Sequence, residues 1–262
     1  QGRKMSKSLG NGIDPLEIVE EYGADSLRFT ILYLAPIGQR IRLAKKSFDI
    51  GFRFSNKMWN ASRFILMNYN GEKLKEIKDI NLNDWDKWIL YELDQTIDKM
   101  HAHIKNYRFN DLTNEIYHFI WDKLCDWYLE VSKSRIYSEN KDEKIEAISI
   151  LLFVLEKSLK LLHPIMPFVS EEIWQKLPNK DGDSIMVSKF PETAGFEFKE
   201  EIDKIETIKE TIYLIRNIRG DLNIGPEKKV HALISCSNKQ IESLLKKYAN
   251  EIKQLAKCKE LS

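Results

Sequence analysis

Apolar side chains recur every three to four residues along most of the chain, the spacing that gathers them on one face of an α-helix. Phe48, Phe52, Ser55, Trp59 and Ser62 mark a core-facing stripe on a helix expected over 47–69, stopped by Asn70-Gly71. Trp85, Trp88, Ile89, Leu93, Ile97, Met100 and Ile104 form the next stripe. Leu112, Ile116, Phe119, Ile120, Leu124, Trp127 and Val131 define a helix over 111–137, and Ile145, Ile148, Leu152, Leu155, Leu159 and Leu162 one over 142–163. Pro164 ends that helix and Pro167 opens a shorter one to about 177. Long helices with short breaks predict an antiparallel bundle.

The two ends of the chain read differently. Asp14-Pro15-Leu16-Glu17 is a helix start, with Asp14 as N-cap and Pro15 at the first helical position. A second, more apolar helix opens after Tyr22-Gly23. Beyond a turn-rich stretch, Ile202, Ile205, Ile208, Ile212 and Ile215 mark a helix over 200–219. Residues 229–235 alternate as a strand does, and a last helix is expected over 239–256. The fold class is therefore mainly α: an antiparallel helical bundle with a small α/β C-terminal appendage. Three units are expected, a loop with connecting helices at 1–45, the bundle at 46–192 and the α/β unit at 193–262.

Composition is that of a globular chain, 43% hydrophobic and 31% charged, with a formal net charge of +1. Any nucleic-acid surface must then be local, because global charge gives it no support. Cys125, Cys236 and Cys258 are too scattered for a disulfide framework, which points to a reduced, cytoplasmic setting. No run reaches the ~18 apolar residues of a membrane helix, so no membrane partner is expected. His101 and His103 are two apart, do not face each other on a helix, and give no metal site.

The chemistry concentrates in Lys4-Met5-Ser6-Lys7-Ser8, set between Gly2 and Gly10-Asn11-Gly12. Two ammonium groups on a glycine-flanked loop can hold a polyphosphate from two sides, and Ser6, Ser8 and loop amides can add hydrogen bonds to its oxygens. A second candidate lies on the helix over 47–69, where Arg53, Asn56, Lys57, Asn60, Arg63 and Phe64 share a face. Arg and Lys suit phosphates, Asn a base edge, and Phe64 an unstacked base. The same spacing also fits a solvated face with Phe64 turned to the core. Arg40 and Arg42 could touch an RNA backbone or simply belong to a solvated turn.

The run from Gly2 to Phe29 resembles the signature loop and following helices of class I aminoacyl-tRNA synthetases. Later segments are similar to the valyl branch: Asn56-Lys57-Met58-Trp59-Asn60-Ala61-Ser62-Arg63-Phe64, Leu124-Cys125-Asp126-Trp127-Tyr128-Leu129-Glu130, Leu162-His163-Pro164-Ile165-Met166-Pro167-Phe168 and Ile215-Arg216-Asn217-Ile218-Arg219. The resemblance implies ATP, with Mg²⁺, as substrate complex. It implies catalytic roles for Lys4 and Lys7, ATP contacts from Lys4, Ser6, Lys7 and Ser8, and a valine-specific tRNA bound at its anticodon by the helix over 47–69. It also points to a cytoplasmic monomer.

The His-x-Gly-His signature of such enzymes is absent, and none of the histidines at 101, 103, 118, 163 and 231 fits it. Nor is there a nucleotide fold, an amino-acid pocket or an editing domain. The expectation is a piece of a larger ligase, inactive alone, whose other domains are its partners. The isoleucyl branch shares the loop and bundle, and a free-standing tRNA-binding module without catalysis is the reading from a different class.

Overall fold

The structure is a computed structural model that describes residues 4–225 and 227–262. Helix α1 (Pro15–Tyr22) begins where the Asp14 side chain accepts from the Leu16 amide at 2.9 Å. Gly23, at φ +87°, turns the chain directly into α2 (Ala24–Tyr33). After a connector comes α3 (Asp49–Met67), then α4 (Asp84–Lys105), which runs through the middle of the bundle. An Asn83–Asp86 capping box starts α4, each side chain accepting the other's backbone N–H.

Helix α5 (Phe109–His118) continues without a break into a π-wound stretch (Phe119–Tyr128) and then α6 (Leu129–Ile136). A single regular helix was expected here. Buried doublets at Phe119-Ile120, Leu124-Cys125 and Tyr128-Leu129 explain the wider winding. They fall four to five apart, the period of i→i+5 hydrogen bonding, and a 3.6-residue turn would swing one of them out. The Tyr128 hydroxyl donates to Asp86 Oδ1 at 2.7 Å, and Arg135 donates to both Asp86 oxygens at 2.8 Å, which ties this segment to the start of α4. Helix α7 (Lys141–Leu162) and α8 (Pro167–Trp174) complete the bundle, and α9 (Lys199–Asp221) packs along α4 through Ile205, Ile208 and Ile212.

The expected α3 stripe needs correction. Phe48 and Ser62 are buried, but Phe52 is 44% and Trp59 36% exposed. The buried face is Gly51, Phe54, Met58, Ala61, Ser62 and Ile65. Its key residue is a glycine, which a search for apolar side chains passes over. A Cβ at Gly51 would lie 2.6 Å from the Ser26 carbonyl oxygen, so only glycine lets α3 close this tightly on α2. The displaced aromatics find partial cover instead, Phe52 edge-on to Tyr22 and Trp59 beneath the Lys176 ammonium.

The α/β appendage holds β1 (Val230–Ala232), α10 (Lys239–Lys247), α11 (Ala249–Ala256) and β2 (Cys258–Leu261), with β1 and β2 parallel. The last helix is thus two helices, broken at Tyr248, whose hydroxyl is anchored on Asp84 of α4. Strand β2 was not expected. It is only four residues long and has no full alternation to reveal it.

Candidate functional site

The loop that bears the candidate phosphate-binding residues is shaped by one side chain. Asn11 Oδ1 accepts from the Ser6 amide at 2.9 Å, and its Nδ2 donates to the Lys4 carbonyl at 3.3 Å. Lys4, Met5 and Ser6 are thereby folded back over a short 3₁₀ turn (Lys7–Leu9), with Gly10 at φ +60° closing it. Ser6 Oγ accepts from the Leu9 amide and pairs with Ser8 Oγ at 3.2 Å. Lys4 and Ser8 are exposed and Ser6 is half-buried. The Lys7 side chain lies outside the described residues. Lys4 and Ser8 are thus carried on a braced, exposed turn, and an ammonium, a hydroxyl and loop amides are the groups that bind phosphate oxygens. Asn11 lies between two glycines, and nothing in the sequence pattern marks its side chain as the brace of this loop.

Helix α2 fixes this loop-bearing unit to the bundle. Asp25 accepts from the Phe168 and Val169 amides at 3.2 and 2.6 Å, capping the start of α8 from another helix. Three residues on, Arg28 donates to the Pro164 and Ile165 carbonyls at 2.9 and 3.0 Å. A single turn of α2 therefore serves both the donors and the acceptors of the α7–α8 connection. Burial pushes the Asp25 carboxyl up, against the pull of those amides and of Arg28. His163, at the same connection and paired with Ser170 Oγ at 2.8 Å, is pushed down by burial. At the far end of α2, Asn110 of α5 donates to the Leu32 and Tyr33 carbonyls.

The second candidate surface is α3. Arg53, Asn56, Asn60 and Arg63 are all exposed on its outer face, and Phe52 and Trp59 flank them. Lys57 sits at the edge of that face, donates to Asp126 Oδ1 at 2.5 Å, and lies 4.9 Å over the Trp121 ring. Phe64 lies at the same edge, half-buried. Tyr137 stands edge-on to it at 6.5 Å and Lys133 lies 5.5 Å above its ring. Tyr137 is itself 66% exposed. Phe64 thus meets Lys133 and Tyr137 at the end of α6, two residues that the spacing along α3 could not reveal.

The other sequence-level candidates have structural partners. Cys125 is buried and its thiol is pushed up to about 12 by desolvation, so it is no nucleophile. His101 pairs with the Pro191 carbonyl at 2.8 Å. Among the described residues no three His, Cys, Asp or Glu side chains gather as a metal site, and no helix is long and apolar enough to cross a membrane.

Comparison with known proteins bears on both surfaces. Residues 86–234 match the family model described as the anticodon-binding domain of tRNA ligase. The chain belongs to that family. Residues 1–44 match a second model, tRNA synthetases class I (I, L, M and V), so the loop and α1–α2 carry a class I likeness of their own. Among curated relatives, the valine–tRNA ligase of Aquifex aeolicus is 41% identical over 98% of this chain and 23% of its own length. That of Fervidobacterium nodosum is 46% identical over 89% of this chain and 26% of its own. That of Oceanobacillus iheyensis is 39% identical over the whole chain and 30% of its own. The chain therefore spans about a quarter of the length of the curated relatives it matches. A solved LeuRS of Agrobacterium radiobacter K84, in ternary complex with tRNA and LeuAMS, superposes with a TM-score of 0.57 at 22% identity, covering 77% of this chain and 23% of that one. The methionyl-tRNA synthetase of Mycobacterium tuberculosis gives 0.51 at 17% identity, over 62% of this chain and 34% of its own. These two likenesses concern the fold. In this anticodon-binding domain the matched model includes α4 to α9, and α3 lies just before it, packed against the same core.

Proposed function

We propose that this chain is the loop-and-anticodon portion of a valine–tRNA ligase. The observation that carries the reading is the run of relatives named valine–tRNA ligase, 39–46% identical across nearly the whole chain. In the reaction of such a ligase, a valine carboxylate oxygen attacks the α-phosphorus of ATP and the bond to the β-phosphate oxygen breaks. Valyl-adenylate and pyrophosphate result, and the terminal ribose of tRNA then displaces AMP from the valyl carbonyl. Negative charge grows on the departing pyrophosphate. A cation that engages it more strongly at that point than in the ground state raises the rate. Lys4 and Lys7 have that role, with Ser6, Ser8 and loop amides as further phosphate donors. Mg²⁺ arrives with ATP, and no ligand for it is assigned on this chain.

The partner of the bundle is tRNA. Arg53 and Arg63 meet phosphates, Asn56 and Asn60 meet base edges, and Phe64 stacks on a base. Lys57 joins them if it leaves Asp126. The chain alone binds tRNA without activating valine, and the cytoplasm, where translation runs, is its place. The test has two arms. Purified 1–262 should bind valine tRNA in preference to a copy with a substituted middle anticodon base, and should show no valine-dependent ATP–pyrophosphate exchange. In a longer protein carrying this segment, Lys7→Ala should lower that exchange ~10²-fold or more. Equal binding of both tRNAs, or an unchanged exchange rate, would overturn the corresponding half.

A further inference from the structure

Asn11 is exposed, yet both ends of its side-chain amide are engaged by backbone. Its Oδ1 takes the Ser6 N–H at 2.9 Å, five residues back, and its Nδ2 donates to the Lys4 carbonyl at 3.3 Å, seven residues back. An amide offers an acceptor and a donor in one plane, which a carboxylate or an apolar side chain of that size does not. Gly10, at φ +60°, bends the chain so that Asn11 returns over residues 4–6. A Cβ there would meet nothing within 4 Å, so glycine serves the backbone angle and not the space.

The other bonds of the loop close a smaller ring. The Leu9 amide donates to the Ser6 carbonyl and to Ser6 Oγ, both at 3.3 Å, and neither bond reaches Lys4. Among the described residues, the Lys4 backbone is held by Asn11 alone. Asn11 touches the carbonyl of Lys4 and not its ammonium, so it governs where the charge stands without adding to it. In adenylate formation negative charge builds on the departing pyrophosphate. A cation already in place meets that charge with no reorganisation. A loop left to swing would have to be ordered at the same moment, and the cost would fall on the barrier and not on ATP binding.

We infer that Asn11 is a positioning residue for adenylate formation, fastening Lys4 and the turn that follows it where the loop's cations meet the leaving pyrophosphate. The inference rests on the ligase reading above and deepens it. It also separates two changes that would otherwise look alike. Lys4→Ala keeps the carbonyl, and with it the brace, and removes only the charge. Asn11→Ala keeps the charge and removes only the brace.

The test uses a full-length ligase carrying this segment, with valine-dependent ATP–pyrophosphate exchange as the assay. Asn11→Ala should lower kcat about ten-fold or more, because a misplaced catalytic group loses rate steeply. The KM for ATP should stay within about two-fold of native, since the lost interaction belongs to the transition state. In a Lys4→Ala background the same change should cost about three-fold or less, because part of what Asn11 positions is gone. On the purified chain 1–262, trypsin should cut after Lys4 about three-fold faster or more in Asn11→Ala, and at its other sites at the native rate. Equal losses in both backgrounds, a raised KM with kcat intact, or native cleavage after Lys4 would each overturn the brace. If Asn11→Ala exchanges at the native rate while Lys7→Ala does not, the brace is overturned and the ligase reading stands. If Lys4→Ala and Lys7→Ala also exchange at the native rate, the reading of the loop falls and the brace with it.

Discussion

The two ends of the molecule are joined to the bundle by charged side chains that bind backbone, but in opposite ways. At the N-terminal junction the load is shared. Asp25 takes two amides, Arg28 two carbonyls, Asn110 two more, and Gly51 lets α2 and α3 close. At the C-terminal junction one residue carries most of the backbone bonds: Arg219, 6% exposed, donates to the carbonyls of Ala256, Lys257, Gly225 and Lys228, while Arg216 adds the Leu255 carbonyl and Tyr248 holds Asp84. It gathers the end of α11 and the loop before β1 onto α9. A shared junction yields gradually when one member is lost. A junction centred on one buried guanidinium loses more at a single step, because its removal leaves several carbonyls without partners at once.

Arg219→Met is accordingly the change of largest expected effect, about 3 kcal/mol or more, since hydrogen bonds to charged groups are worth ~1.5–3 kcal/mol each and do not simply add. Hydrogen exchange should show residues 225–262 losing protection while α4 and α7 keep theirs. Uniform loss over the whole chain, or none, would remove the contrast between the junctions. Gly51→Ala comes next. Its Cβ meets backbone, Ser26 oxygen at 2.6 Å and Ser26 Cα at 2.8 Å, so α3 must shift rather than a side chain rotate. Overpacking of this kind costs ~1–3 kcal/mol. Thermal melting should register it, and an unchanged midpoint would mean the α2–α3 contact is looser than drawn.

The contrast also marks what the sequence could and could not say. The bundle was legible because its signal is local: stripes such as Ile145 to Leu162 name their own helix and face. The loop and α1 were legible from Asp14-Pro15 and the glycines. The junctions were not, because Asp25 reaches Val169, Arg28 reaches Pro164 and Arg219 reaches Ala256, and no spacing rule connects such pairs. On α3 the face of Arg53, Asn56, Asn60 and Arg63 followed from helical offsets, while its core stripe did not, because Gly51 carries no apolar side chain to announce it.

Within the N-terminal junction, Asp25→Ala should cost about 1 kcal/mol, the value of an N-cap, and Arg28→Ala a comparable amount. Neither should abolish folding. The double variant should lose protection in α1 and α2 ahead of α4. If either single variant releases α2 as completely as the double does, the load is not shared after all.

The smallest effect expected is a pH dependence at the same junction. Burial holds the His163 imidazole below its ordinary value of 6.5, and nearby Arg28 pushes in the same direction, while Glu171 and Asp25 oppose them. A histidine whose folded value is lowered stabilises the fold fully above its unfolded value and loses that contribution as pH falls from there toward the folded value. The α7–α8 connection, and with it the seat of α2, should therefore weaken as pH drops below about 6.5. Asp25, raised by burial, works the other way, since the folded state then takes up a proton more readily than the unfolded one. Melting curves of the native chain alone would mix the two. The difference between native and His163→Gln isolates the histidine, because glutamine can still bond Ser170 Oγ but cannot titrate. The native midpoint should fall more than that of His163→Gln across this window. Parallel curves would show that His163 charges as readily folded as unfolded, and that the connection does not sense protons.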